Sequence, residues 1–392
     1  MGFARPVGWS FSPLDEELGL LSQRMTPRLV EQVARLGVSC VSFREARDIL
    51  ADLLGVELSI NTVRRITEGA GAQADEEERE QAAALRKSMA RPAGMLVDRL
   101  QQVSVDGAMA PLVTGTWGEV KCVAIGRIEQ TSAGPKAKDI TYFARLADAD
   151  GFINQARAEM HRRGTENARE VVAVSDGAPW IQSYIDEHCP QALRIIDWGH
   201  AAGYVRTAGQ LLFGAESADG IAWTKTQLDL LWAGKPEAVV SELARLQDDS
   251  ERLKAVRDAR HYLEKRLDML RYSAFRGGGY PIGSGIVESA NKLLVEARLK
   301  GAGKHWAPAN VNSVLALRCS IANKRWSSQW PAVHARLRPT HRRRPSLAPL
   351  PPPQVPGPEL AVPGRTYVRT FEGGKPTRNH PWNASLTPHA KM

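Results

Sequence analysis

Three β-rich segments follow one another with no helical pattern between them: QQVSVDG (101–107), VKCVAIGRI (120–128) and ITYFARLA (140–147). Each is bounded by turn residues, so together they predict an antiparallel meander. The pattern then changes. A helical stretch, GFINQARAEMHRRG, leads to the apolar strand VVAVSDG (171–177), a helix from Pro179 to His188, and the strand ALRIID (192–197). A meander running into β-α-β alternation predicts an α/β fold around a mixed five-stranded sheet flanked by helices. No fixed-period repeat is visible, which excludes solenoids and propellers.

Two of these strands end in Asp-Gly, at Asp106-Gly107 and Asp176-Gly177. Asp-Gly is also a favoured hairpin turn. Asp176-Gly177, however, is followed by Ala178-Pro179-Trp180 and a helical pattern, not by a returning strand. Its carboxylate is therefore expected at the end of a buried strand, where α/β folds place ligands. A third acid, Glu288, lies on the polar side of a helix expected from Ile286 to about Lys300, with Ile286, Ala290, Leu293, Leu294 and Ala297 on its apolar face. An isolated Glu in a first helical turn is ordinarily a surface residue favoured by the helix dipole. Two strand-end Asp and one helix-borne Glu can instead converge on hard cations, which take oxygen ligands.

Between the fifth strand and Glu288, residues 200–275 read as a helical insertion, and GGGYPIGSG (277–285) brings the chain back to the sheet. These glycines let the chain turn tightly. No GxxxxGK[ST] occurs, so they do not form a nucleotide-binding loop. Trp180, Trp223 and Trp232 are expected to pack in the core.

The first 95 residues read as helical. Ser42 and Glu45 form a capping-box pattern before a helix that Gly55 ends; Ser59 caps a second helix that Gly69 is expected to stop. This pair has helix-turn-helix character, with Asn61, Thr62, Arg64 and Arg65 outward, although two packed helices with a solvated basic face fit the same pattern. DEEEREQAAALRK (75–87) reads as a charge-rich helix with no clear apolar face, leading to Arg91–Gly94, and the two together read as a connector and boundary.

The formal charge is +9, and its placement matters more than its size. Residues 324–392 carry 12 Lys/Arg and 2 Asp/Glu, a net of +10, whereas the preceding 323 residues carry 40 and 41, a net of −1. Residues 339–392 hold 12 of the 24 prolines and begin with His341-Arg342-Arg343-Arg344, so they are expected to form a disordered basic tail suited to phosphate attraction. Cys40, Cys122, Cys189 and Cys319 are far apart and form no CxxC pair, which argues against a thiolate zinc site or a disulfide framework. With no signal core or long apolar run, the expected location is the cytoplasm, without membrane association.

VSVDG, AVSDGAPW, IIDWGHA, YPIGSGIVESANK and RLKGAGKHW, in this order, resemble bacterial insertion-sequence transposases of the ISKra type, over about residues 10 to 335. The resemblance implies a ribonuclease-H-like catalytic core (96–199 and 276–338) interrupted by the helical insertion and preceded by a helical DNA-binding region (1–95). It implies that Asp106, Asp176 and Glu288 form a DDE triad holding two Mg²⁺ ions, with Mn²⁺ as a substitute. The implied reaction is cleavage at insertion-sequence ends, freeing a 3′-hydroxyl that attacks target DNA in line. Such phosphoryl transfer is chiefly positioning and charge neutralisation. The implied partners are double-stranded transposon ends and target DNA, with a homo-oligomer on DNA at the bacterial nucleoid.

Asp197-Trp198-Gly199-His200 matches a D-x-x-H element of related transposase groups. Asp197 and His200 are auxiliary candidates, either near the metals or as a structural pair that fixes the start of the insertion. Lys292, Arg298, Lys300, Lys304, His305 and Trp306 could line a DNA path, Trp306 by stacking on a distorted end; a solvated helix end with a buried Trp is the competing reading. Three functions stay open on the sequence: a transposase, a non-catalytic DNA-binding regulator or domesticated transposase, and a metal-dependent nuclease that cuts without joining.

Overall fold

The computed structural model describes residues 25–88, 97–246, 253–337, 371–372 and 375–376. The connector at 91–94 and the basic cluster at 341–344 lie outside the described residues, as does nearly all of the expected tail. Four tail residues form a separate two-stranded antiparallel ladder, Phe371–Glu372 with Lys375–Pro376.

The remainder is an α/β unit around one mixed five-stranded sheet flanked by helices. Its strands are β1 (Val97–Pro111), β2 (Trp117–Thr131), β3 (Gly134–Leu146), β4 (Ala168–Ser175) and β5 (Leu193–Ile196), in the order β3-β2-β1-β4-β5. The first three form the meander; β4 runs parallel to β1, and β5 parallel to β4. The expected strands are all present. Those of the meander are longer than the alternation alone marked, because hairpin pairing extends past the apolar stretches. Side-chain amides occupy two positions on the free edge of β3: Asn323 bonds both backbone groups of Tyr142, and Asn312 those of Leu146.

One face of the sheet packs Val103, Val105, Val123, Ile125 and Ala173 against Phe152, Met160, Tyr184 and Ile185 of helices Ala149–Arg162 and Pro179–His188. The other face carries two separate apolar blocks. Over β1–β3, Ala108, Ala110, Cys122 and Ala144 meet the N-terminal helices and the C-terminal helices Pro308–Ala322 and Trp326–Leu337. Over β4–β5, Val172, Val174, Ile195 and Ile196 meet the insertion, whose helices run Trp198–Phe213, Ala218–Trp232, Pro236–Leu246 and Lys254–Glu264. The seam between these blocks, where β1 meets β4, is polar.

The N-terminal helices are Pro27–Ser39, Phe43–Leu54 and Ile60–Ser88. The Ser42 cap forms as expected, its Oγ accepting from Glu45 N–H at 3.0 Å, while Glu45 reaches back one residue further than a capping box requires and accepts from Val41 N–H at 2.8 Å. The third helix corrects the sequence reading. It does not stop at Gly69 but runs 29 residues, so that the helix expected over 75–87 is its continuation and not a separate connector. An interior glycine costs only about 1 kcal/mol, and docking on the core outweighs it. Gly71 lies so close to helix Pro308–Ala322 that a Cβ there would stand 2.1 Å from the Ser313 carbonyl oxygen. Further along, Asp75 and Glu78 both bond the Arg145 guanidinium, which is 0% exposed, Asp75 at 2.7 Å. The charge-rich stretch therefore buries its acids against a cation, and residues 25–88 share a core with β1–β3.

Among the described residues, no helix is long and apolar enough to cross a membrane. All four cysteines are free.

His188 yields a pH prediction. Its ring is buried and its Nε2–H donates to the Ile153 carbonyl at 2.8 Å; burial chiefly, aided by the Arg157 charge, pulls its pKa down to about 4. A group depressed on folding contributes stability that is present above its unfolded pKa, about 6.5, and is lost as pH falls toward its folded value. Denaturation midpoints are expected to fall between about pH 6.5 and 4, and His188→Gln should flatten that dependence. An unchanged slope in the variant rejects the assignment.

Candidate functional site

Strand register brings the two Asp-Gly carboxylates together. Val103 pairs with Ala173 in the parallel β1–β4 ladder. Asp106 and Asp176 each lie three residues beyond that pair, Asp176 just past the end of β4, and the charge of Asp176 is felt at Asp106. Because side chains alternate, both leave the sheet on the side opposite Val103 and Ala173, into the polar seam.

The seam is wired to the loop and helix that follow the insertion. Gln102 Nε2 donates to the Gly283 carbonyl at 2.9 Å and to Ser104 Oγ at 3.1 Å. Asp106 Oδ1 accepts from Gly107 N–H at 2.7 Å, and its Oδ2 from Asn291 Nδ2 at 2.8 Å. The helix Gly285–Ala290 is thus strung along β1, with its leading loop fixed over Gln102 and its far end over Asp106. Glu288 lies on it, exposed, one turn before Asn291.

The Asp106 carboxyl is raised above its ordinary range. Burial is the largest cause and the charge of Asp176 adds to it, against the Gly107 N–H, the Asn291 amide and the nearby His200. Two carboxylates that repel at close range are a common feature of sites completed by a cation.

Asp176 is held from behind by the insertion. Its carbonyl accepts from the Tyr262 hydroxyl at 2.5 Å, and the Gly177 carbonyl from Arg266 Nη2 at 2.8 Å. Burial raises the Tyr262 phenol well above its ordinary range, so it stays a donor. The Arg266 guanidinium lies 4.1 Å over the Tyr262 ring, which stacks on Tyr204 at 4.1 Å; the exposed His200 ring sits beside both tyrosines. Gly177 has φ +76°, and a Cβ there would meet Arg266 Nε and Ile196 Cδ1 at 2.6 Å. Glycine is required on both counts.

Asp197 has both oxygens engaged in structure. Oδ1 caps helix Trp198–Phe213 through His200 N–H at 2.7 Å, and Oδ2 accepts from Ser284 N–H at 2.7 Å. It links the start of the insertion to the loop that opens the Glu288 helix. The contact to His200 runs through that residue's backbone, not its ring.

Beyond Ala290 the helix departs from the expected course. A π-helical turn, Asn291–Glu296, precedes a last α-helical turn, Ala297–Leu299. The wider turn shifts the buried face to Val287, Ala290, Leu294, Val295 and Leu299, leaving Leu293 45% exposed. Arg318 sustains it by donating to the Leu293 and Leu294 carbonyls. π-turns of this kind recur at functional sites.

The expected DNA path divides. Lys292 and His305 are exposed, as are Asn61, Arg64 and Arg65, with Thr62 half-buried. Lys300 is half-buried and pairs with Glu296 at 3.0 Å. Lys304 donates to the Arg298 and Lys300 carbonyls. Arg298 and Trp306 point inward, contrary to expectation. Arg298 is 2% exposed, bonds the Gly37 carbonyl and lies between the Phe43 and Trp306 rings; Trp306 donates to the Leu299 carbonyl at 3.1 Å. They lock the N-terminal helices to the core and present no face to a phosphate. Trp232 is corrected in the opposite sense: it is 42% exposed, with the Arg276 guanidinium 3.7 Å over its ring.

Asn291, Gln102, Tyr262 and Arg266 escaped the sequence reading, since none belongs to a local pattern that marks it. Among the described residues, no group of three or more His, Cys, Asp or Glu side chains is placed to hold a metal ion, so Glu288 does not join Asp106 and Asp176 in one cluster. Fold and site together define an α/β protein with a paired-carboxylate seam on a mixed sheet. Comparison with family models and with curated proteins finds no match to this chain.

Proposed function

We propose that this chain is a DNA transposase with a ribonuclease-H-like core, cleaving insertion-sequence ends and joining them to target DNA. The observation that carries the reading is the register-matched pair Asp106–Asp176 at the polar seam, with Asn291 bonded to Asp106. The order of elements agrees with the one the resemblance implies: three antiparallel strands, a helix, a parallel strand, a helix, a fifth strand, an insertion, and the helix bearing Glu288.

The donor set, carboxylate and amide oxygens, fits a hard divalent cation such as Mg²⁺ or Mn²⁺. When bound, such ions activate the attacking oxygen and stabilise the leaving one in phosphoryl transfer. In this reading Asp106 and Asp176 would hold the ions, and Glu288 stands exposed on the helix whose far end is bonded to Asp106 through Asn291. Gly107 N–H and Asn291 fix the Asp106 rotamer, while Tyr262 and Arg266 fix the strand end at Asp176. Lys292 and His200, exposed on the elements around the seam, are available to DNA phosphates. Arg64 and Arg65 give the helix Ile60–Ser88 an exposed basic start for duplex binding, and two ends to be joined imply at least a dimer on DNA.

The test uses the full chain, Mg²⁺ and duplexes taken from the genomic sequence on either side of its reading frame. Cleavage followed by joining is expected. Cleavage without joining favours a nuclease, binding alone a regulator, and neither activity overturns the reading. For the basic helix start, Arg64→Ala with Arg65→Ala should weaken duplex binding about tenfold at physiological salt and reduce the log–log salt slope by about 2. Unchanged affinity and slope would remove this helix from the DNA interface.

A further inference from the structure

The Asn291 side chain is only 8% exposed, and its two polar atoms are treated differently. Nδ2 donates to Asp106 Oδ2 at 2.8 Å. Oδ1 is buried with no hydrogen-bond partner. An acceptor left unpaired in the interior costs about 1–3 kcal/mol, and native proteins rarely leave one so without a use. This orphan belongs to a residue already fixed to one of two neighbouring carboxylates. It also stands at the first position of the π-turn, where the backbone leaves its regular α course.

A neutral amide oxygen beside two anionic ones is a set that hard cations accept, since their sites combine carboxylates with Asn, Gln or backbone carbonyls. Glu288, the third carboxylate of the proposed triad, is not clustered with the other two. We propose that Asn291 Oδ1 supplies a further oxygen ligand to the cation held by Asp106 and Asp176, while its Nδ2 keeps Asp106 oriented. The inference rests on the metal-dependent reading above and adds a ligand to that site.

The side chain would do two jobs, and substitution separates them. Asn291→Ala removes both the oxygen and the N–H. Asn291→Asp keeps an oxygen but loses the donor. Mn²⁺ binding to metal-free full-length protein, followed by electron paramagnetic resonance and calorimetry, reads the ligand directly, without DNA or turnover. Asp106→Asn with Asp176→Asn serves as the blank.

Asn291→Ala is expected to weaken Mn²⁺ binding about tenfold or more, and Asn291→Asp to restore wild-type affinity or exceed it. Metal-free melting temperatures of both variants establish that the fold persists; an Asn291→Ala that fails to fold leaves the comparison of Asn291→Asp with wild type to decide. Wild-type affinity in Asn291→Ala overturns the inference and leaves the metal-dependent reading standing. Equal weakening by Ala and Asp also overturns it, because Asn291 would then act only through its bond to Asp106. If wild type binds no more Mn²⁺ than the blank, the metal-dependent reading falls and this inference with it.

Discussion

Asp106→Asn or Asp176→Asn is expected to reduce end cleavage about 10³-fold or more while duplex binding stays within a factor of two. The amide is isosteric, so the Gly107 N–H can keep its bond and the seam its packing; what disappears is half of the negative charge that a cation requires. Stability should move in the opposite direction. Asp106 is raised chiefly by burial and further by the charge of Asp176. Its ionised form is therefore disfavoured in the folded state, and at neutral pH removing that charge should raise the melting temperature of the metal-free protein. Added Mg²⁺ should then stabilise wild type but not the variants. Glu288→Gln is expected to abolish cleavage without this gain, because Glu288 is exposed and unclustered. Near wild-type cleavage in any of the three would show that its carboxylate is not needed for the reaction.

Arg145→Ala is expected to cost about 3–5 kcal/mol of stability, the range for stripping one partner from a buried ionic network. Arg145 is 0% exposed and holds both Asp75 and Glu78, which are 8% and 6% exposed. Without it, Glu78 loses its buried cation and Asp75 keeps only Arg79, at 2.9 Å. Urea denaturation measures the loss. Replacing all three residues by apolar ones of similar volume should recover much of it, since the penalty comes from uncompensated charge and not from missing attraction. A cost below about 1 kcal/mol for Arg145→Ala would mean that the acids find water or other partners. The same helix carries Arg64 and Arg65 at its start, so its docking also sets where that basic face stands relative to the sheet.

The strands were legible because alternation and turn residues are local signals, and Asp176 because it follows a strand directly; Asp106-Gly107 carries the same signal but does not end its strand, since β1 pairs with β2 as far as Pro111. The continuous helix from Ile60 was not legible: Gly69 carries a stop signal that the packing of Gly71 against Ser313 and the pairing of Asp75 with Arg145 override. Arg298 and Trp306 carry the composition of a nucleic-acid contact and become an interior clasp because Phe43 and the Gly37 carbonyl arrive from the other end of the chain. Trp232 fails the opposite way, since aromaticity does not say which face a helix turns to its neighbours.

The sequence by itself determined the α/β class, the order of elements and the placing of Asp176 at a strand end, all of which follow from periodicities of a few residues, whereas Asp106 lies inside β1, paired with Cys122, because the hairpin continues to Pro111. Tertiary structure alone decided which groups share the seam. Asn291 meets Asp106 across 185 residues and Arg266 meets Gly177 across 89, contacts created by strand register and by the return of the chain after the insertion. No short-range preference encodes them, because their energy exists only once both partners have been brought together.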